Sequence, residues 1–324
     1  MREYMNRLFA DMHCDTITTL YDRIANGSRE TFRENSLHID FLKLEKSHYL
    51  LQNFAVFFDK QIWRDNLYQE AMRRIDFFKK ELEQNDDLIR QITSFEDIIN
   101  NEKENRISAL LTLEGGESLD GNVDNLHIFH EKGVRMITLT WNYDNELGHC
   151  HFDIEGKGLT KLGFEVVEQM EELHMIPDVS HGSDALFWDV CKTAKKPFVA
   201  SHSNARSVYD RTRNMSDDMI HALANHGGVM GINFFAGFTS ARSRENGMCY
   251  MEDLLQHMKH VVNVGGIEVM GLGSDFDGIG TDVEWNDAGG MELLLDGIKK
   301  AGFSESQCDK ICRENVLRLY KECL

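Results

Sequence analysis

Proline is nearly absent from this chain of 324 residues, which holds only Pro177 and Pro197, both just inside apolar runs. Gly/Ser-rich linkers, low-complexity tracts and short internal repeats are missing too. Nothing marks a join, and residues 1–324 are expected to form a single domain. No run of about eighteen apolar residues occurs, which argues against a membrane-spanning helix. Met1 to Ala10 carries two arginines and a glutamate with no apolar stretch of signal-peptide length, so a cytoplasmic location is expected, with no membrane partner. The seven cysteines contain no C-x-x-C pair, which argues against a disulfide framework and a zinc ribbon. Basic side chains are outnumbered, 35 against 54 acidic, for a formal net charge of -19. That balance repels phosphate backbones and anionic headgroups, and nucleic acid is not expected as a partner. Much of the acid, such as Glu165, Glu168, Glu171 and Glu172, reads as solvated helix surface.

What the chain does have is ample core material, 42% hydrophobic against 27% charged residues. Eight apolar runs of strand length alternate with amphipathic stretches: Leu8 to His13, Leu50 to Phe57, Ile107 to Leu113, Val134 to Thr140, Met175 to Val179, Phe198 to Ser201, Val229 to Phe234 and Val269 to Gly273. The runs are nearly continuous rather than alternating, as expected for parallel strands covered on both faces. Eight β/α alternations predict a TIM-type (β/α)8 barrel of the metal-dependent hydrolase kind, an open doubly wound sheet being the other option. Between the runs, Leu67, Ala71, Ile75, Phe78 and Leu82 form a helical stripe within 65–85, and 162–173 repeats it. Ser216-Asp217-Asp218 reads as a helix N-terminus, with Gly227-Gly228 as the stop. Segments 21–40 and 235–252 lack such a stripe and read as loops over a barrel mouth.

The chemistry collects where the runs stop. His13 and Asp15 are two apart, so on an extended segment both leave the same face and can grip one ion. Cys14 between them points the other way and packs. Glu114 precedes Gly115-Gly116, where the backbone turns sharply and leaves its two oxygens free to bridge two cations. His181 and His202 each follow a serine at a strand end and can hold a second ion. Gly273-Ser274-Asp275-Phe276-Asp277-Gly278 supplies one more carboxylate, Asp275, placed to take a proton from metal-bound water, while Asp277 shapes the turn. Glu114 and Asp275 are thus the catalytic candidates, and His13, Asp15, Glu114, His181 and His202 the metal candidates. Zinc suits a mixed imidazole and carboxylate set, with manganese, iron and cobalt as other options.

In ordered combination these segments resemble the membrane (renal) dipeptidase family of binuclear zinc dipeptidases, particularly its bacterial members without a membrane anchor. The likeness runs nearly end to end through Asp11 to Thr16, Leu113 to Gly116, Leu139 to Asn142, Asp178 to His181, Ala200 to Arg206, Arg213-Asn214, Gly227 to Asn233 and Gly271 to Gly278. It implies two Zn2+, one held by His13, Asp15 and Glu114, the other by Glu114, His181 and His202, with Asp275 on the bridging water. It further implies hydrolysis of dipeptides, including those with a D-residue at the C-terminal position, by attack of a metal-bridging hydroxide. Arg213 is then a partner for the substrate's carboxylate, with Asn142 as a second substrate contact. One departure stands out: the animal enzymes carry a substrate-contacting histidine where this chain has Trp141, so oxyanion stabilisation by that imidazole is not implied here. His149 and His151, farther along, read first as exposed loop histidines. Two rival readings keep the ligands: an amidohydrolase acting on a cyclic amide, lactam or ester, and a non-catalytic metal-binding protein. The oligomeric state stays open, a homodimer included.

Overall fold

The computed structural model describes residues 7–59, 62 and 66–324. Residues 1–6 of the amino-terminal segment and Asp65, where the expected helix of 65–85 begins, lie outside the described residues. The strands are β1 (Phe9–Asp11), β2 (Tyr49–Phe57), β3 (Ile89–Gln91), β4 (Ile107–Glu114), β5 (Val134–Thr138) and β6 (Ile176–Asp178). They continue with β7 (Val199–Ser203), β8 (Val229–Ile232), β9 (Met248–Cys249), β10 (Met270–Leu272) and β11 (Asp282–Val283). Eight of them close a wholly parallel barrel in the order β1, β2, β4, β5, β6, β7, β8, β10 and back to β1. Each corresponds to one of the eight apolar runs. Helices follow the strands as crossovers, and the expected (β/α)8 barrel is the observed fold.

A ninth sheet member, β3, has no counterpart among the apolar runs. It pairs with residues 107–109 of β4, ahead of Leu111, where β5 joins. Since β2 occupies the other edge of Ser108 and Ala109, β3 fills a length of backbone that β5 is too short to cover. Its sequence, Ile-Arg-Gln, has one apolar residue, because a three-residue edge strand buries little beyond its first side chain.

The helical stripes form as their spacing requires. Leu67–Gln84 buries Ala71, Ile75, Phe78 and Leu82, together with Arg74, whose guanidinium reaches Asp22 and Glu70. Lys161–Glu172 is capped by Thr160, and Asp217–Asn225 by Ser216, whose hydroxyl accepts from the Met219 N–H. Of the two segments expected to be loops, 21–40 is one from residue 26 onward, and the remainder needs correction. Tyr21–Ala25 completes the helix Thr16–Ala25, and 235–252 contains helices Ala236–Thr239 and Ala241–Asn246, then β9. Helices of four and six residues are too short to print a stripe. They are held instead by Asp253, whose carboxylate accepts from Ser240, Arg242 and Ser243.

Val316, Leu319, Tyr320 and Cys323 of the C-terminal helix Asn315–Cys323 join Ala10, Leu51, Met136, Ile176, Val199 and Val229 in one buried cluster. Those strand residues lie at or near the amino ends of their strands, so the helix closes that end of the barrel. The opposite end is left for the polar residues. All seven cysteines are thiols, and Cys14 is buried in the main core. Among the described residues no helix is long and apolar enough to cross a membrane.

Candidate metal centre

Five strand ends bring the polar residues to one place. His13 and Asp15 follow β1, Glu114 ends β4, His181 follows β6 and His202 sits within β7. Asp275 follows β10. Glu114 is central: its Oε1 lies 3.0 Å from His181 Nε2 and 3.3 Å from His202 Nε2, while Oε2 lies 3.7 Å from His13 Nε2. His13 Nε2 is also 3.4 Å from Asp15 Oδ2 and 3.9 Å from Asp275 Oδ1. One carboxylate thus turns one oxygen to a His/Asp pair and the other to a His/His pair. His13, Asp15, Glu114, His181 and His202 are all buried.

The imidazoles are oriented from behind. His202 Nδ1 donates to Ser201 Oγ at 2.7 Å, and that hydroxyl donates to Asp178 Oδ2 at 2.5 Å. Asp178 also accepts from the Thr138 hydroxyl and from the backbone N–H groups of Ser180 and Ser201. A register shift between Ala200 and Ser203 in β7 lets the adjacent Ser201 and His202 both serve the site. His181 Nδ1 meets Asn142 Oδ1 at 2.9 Å. With both Nδ1 atoms carrying the proton, the two Nε2 lone pairs face each other at 3.0 Å. Two bare lone pairs at that distance repel unless a cation sits against them, and His13 Nε2 and Asp15 Oδ1 are buried with no hydrogen-bond partner among the described residues. This donor set fits a metal, and the outward hydrogen bonds are the kind that fix ligand tautomers.

The charge pattern says the same. Burial, then the Asp15 charge, push the Glu114 carboxyl up to about 8, and burial pushes Asp275 up to about 7. Burial opposes charge on His13, but Glu114 and Asp15 outweigh it and hold that imidazole well above its usual value. His181 and His202 are pushed well below it, by burial and then by Arg213 and His13 respectively. The metal-free cluster holds protons that a cation would replace.

The backbone is bent to make this arrangement. His181 and Asp275 sit at φ 68° and 61°, the left-handed region that non-glycine residues enter at a cost. Gly278 has no room for a side chain: a Cβ there would lie 2.0 Å from Asp15 Oδ2 and 2.5 Å from Asp275 Oδ1. Asp277 does shape the turn, and it does more: its carboxylate accepts from the N–H groups of His38 and Ile39 and from the Thr16 hydroxyl, tying the 26–40 segment to the barrel.

A cavity of about 180 Å³ opens on the cluster, lined by Asp15, Glu114, Trp141, Asn142, His181 and Asp275, with Phe57, Phe235 and Phe238 among the apolar walls. A wider hollow of about 560 Å³ adjoins it through Asp15, Phe57 and Gly278. Trp141 packs against Phe57 with ring centroids 4.6 Å apart. Arg213 is buried; it donates to Ser203 Oγ and to the His202 carbonyl. His149 is half-buried and bonds to Asp144, whereas His151 is nearly enclosed, which corrects its reading as an exposed loop residue. Asn233 was not singled out as a site residue from the sequence, yet its Nδ2 donates to Asp275 Oδ2 at 2.9 Å. Asp178 is a second such residue; its place at the end of β6 in Asp-Val-Ser-His, three residues ahead of His181, is the available signal.

Comparison with known proteins gives a consistent picture. Residues 4–323 match the family model described as membrane dipeptidase, peptidase family M19. An uncharacterized protein of Klebsiella pneumoniae is 33% identical over 226 residues, 68% of this chain and 83% of that protein. Dipeptidase 3 of Rattus norvegicus is 32% identical over 224 residues, 67% of this chain and 45% of its own length, so this chain spans about half of that relative. Among solved structures, a dipeptidase described as an M19 metallopeptidase superimposes with a TM-score of 0.90 at 24% identity over 98% of both chains. A metallopeptidase of Rhodobacter sphaeroides, bound to a phosphinate mimic of the dipeptide L-Ala-D-Ala, does so with 0.90 at 23%, covering 98% of this chain and 99% of its own. At those identities the structural likeness speaks for the fold.

Proposed function

Because the chain belongs to the membrane dipeptidase family of metallopeptidases, peptidase family M19, we propose that it hydrolyses dipeptides at the cluster of His13, Asp15, Glu114, His181 and His202. In this reading the cluster holds two zinc ions, with Glu114 shared between them. Bound there, the metal supplies Lewis-acid polarisation of the scissile carbonyl and acidified water. The protein's own groups do the rest. Asp275, steadied through one oxygen by Asn233, offers the other to the cavity, where it takes a proton from attacking water and returns it to the leaving amine. Arg213 and Asn142 are the substrate contacts, Arg213 for the carboxylate: among the described residues two of its five N–H donors are committed.

The part of the cavity that opens on the cluster, about 180 Å³, has room for a small substrate. Dipeptides ending in a D-residue are included, on the family likeness and on the L-Ala-D-Ala mimic bound by the Rhodobacter sphaeroides structure. The observation that carries the proposal is the convergence of five metal-type side chains from four separate strand ends around one carboxylate. It is tested by measuring metal content and hydrolysis of defined L,L and L,D dipeptides, with cyclic amides and esters as controls, before and after chelation. Activity on dipeptides should vanish on chelation and return with zinc, and chelator-insensitive activity would overturn the proposal. Asp275→Asn should lower kcat by about 10²–10⁴-fold with metal content unchanged; full turnover would remove Asp275 from its role.

A further inference from the structure

One amide at the rim of the cluster is oriented from two sides. Asn142 Oδ1 lies 2.9 Å from His181 Nδ1 and 3.0 Å from His151 Nε2, and His151 Nδ1 lies 2.8 Å from Thr212 Oγ1. The donors and acceptors along this chain have a single consistent assignment. A His181 that offers Nε2 to a cation carries its proton on Nδ1 and donates from there. The Asn142 atom facing it is therefore the amide oxygen. That oxygen can only accept, so His151 donates to it from Nε2, and Nδ1 of the neutral ring accepts from the Thr212 hydroxyl.

The backbone enforces the arrangement. The His151 N–H donates to the His181 carbonyl at 2.7 Å and the Ser183 N–H to the His149 carbonyl at 3.0 Å. This antiparallel pairing sets the two rings 6.1 Å apart, centroid to centroid. Thr212 precedes Arg213, so the same chain of bonds ties the arginine's loop to His181. With its oxygen fixed against two N–H groups, Asn142 turns its Nδ2 the other way, and Asn142 lines the cavity with Glu114, His181 and Asp275.

We propose that Asn142 Nδ2 donates to the oxygen of the scissile carbonyl as negative charge develops there, and that His151 is the positioning residue that orients it. This rests on the dipeptidase reading, which puts a carbonyl in the cavity. Asn142→Asp separates the two ends of the amide, because it keeps an acceptor for both imidazoles and removes the donor. In zinc-loaded protein this variant should retain its metal while kcat on L-Ala-D-Ala falls about 10²–10³-fold and KM changes little. Affinity for the phosphinate mimic, measured by calorimetry without turnover, should fall by a similar factor. His151→Phe should lower kcat about tenfold, and His151→Gln, which can donate to the same oxygen, should recover most of it. The proposal is overturned if Asn142→Asp keeps wild-type kcat and phosphinate affinity. It is equally overturned if both are lost together with the metal, since Asn142 would then only support His181. A wild-type protein that binds zinc and cleaves no dipeptide would overturn the dipeptidase reading, and this inference with it.

Discussion

At the amino end of the barrel, Val316, Leu319 and Tyr320 pack on strand residues that are almost all aliphatic, and the polar Tyr320 hydroxyl finds Asn53 Oδ1 at 2.9 Å. At the carboxyl end, His13, Asp15, Glu114, His181 and His202 are buried nearly as deeply, yet like charges crowd together, and among the described residues His13 Nε2 and Asp15 Oδ1 have no hydrogen-bond partner. The same strands therefore run from a region where each side chain stabilises the fold into one where burial works against it. Left-handed backbone at His181, Asp275 and Asp277 adds to the strain at that second end. Such an imbalance persists in a folded protein when a ligand offsets it, and here the donor set calls for a cation.

Substitutions at the two ends should accordingly part company. Glu114→Gln, which removes the shared carboxylate, should abolish dipeptide hydrolysis within detection, yet leave the metal-free protein at least as heat-stable as its parent. A large fall in the melting temperature of the chelated variant would show that Glu114 supports the fold by itself. Leu319→Ala should do the reverse. It should destabilise the protein by about 2–5 kcal/mol in denaturant unfolding with kcat/KM unchanged at temperatures where it stays folded. An intermediate case is Gly278→Ala, whose new methyl must displace the Asp15 and Asp275 carboxylates. Metal affinity should drop about 10–100-fold while the melting temperature of the chelated protein barely moves; unaltered affinity would mean the two carboxylates are not held by that contact.

The smallest effect is one of pH. Between pH 6.5 and about 8 the metal-free folded protein keeps protons on Glu114 and His13, and on Asp275 up to about 7; the unfolded chain has already released those of the two carboxyls and sheds that of His13 across the lower half of the window. His181 and His202, pushed well below 6.5, hold no proton in the folded protein with or without metal across that window, so they do not bear on the difference between the two forms. Relative to a metal-loaded form that holds none of those protons, the metal-free form therefore loses stability as pH rises there. In the metal-loaded form a cation replaces those protons. The gap between the two melting temperatures should widen from pH 6.5 to 8, and a gap that stays level or narrows would contradict the electrostatic account.

How much of this was legible in the sequence follows the same division. Apolar runs mark all eight barrel strands because parallel strands are buried on both faces, and helix stripes mark the outer layer. The metal-type residues could be picked out because each interrupts an apolar run at its carboxyl end. What could not be read depends on distances between segments remote in sequence. Asp277 looked like a turn residue, but its carboxylate also bonds to His38 and Ile39. His151 looked like a loop residue because the pairing of 149–151 with 181–183 that buries it is made only in the fold. β3 leaves no mark in the sequence for a different reason, since an edge strand of three residues needs only one apolar anchor.

His13, Asp15, Glu114, His181 and His202 are proposed to hold two cations between them. Crystals of zinc-loaded protein, with anomalous scattering recorded on both sides of the zinc edge, test it most directly. The account predicts two anomalous peaks in this cluster, one beside each oxygen of Glu114. A single peak, or zinc bound away from these five side chains, would contradict it.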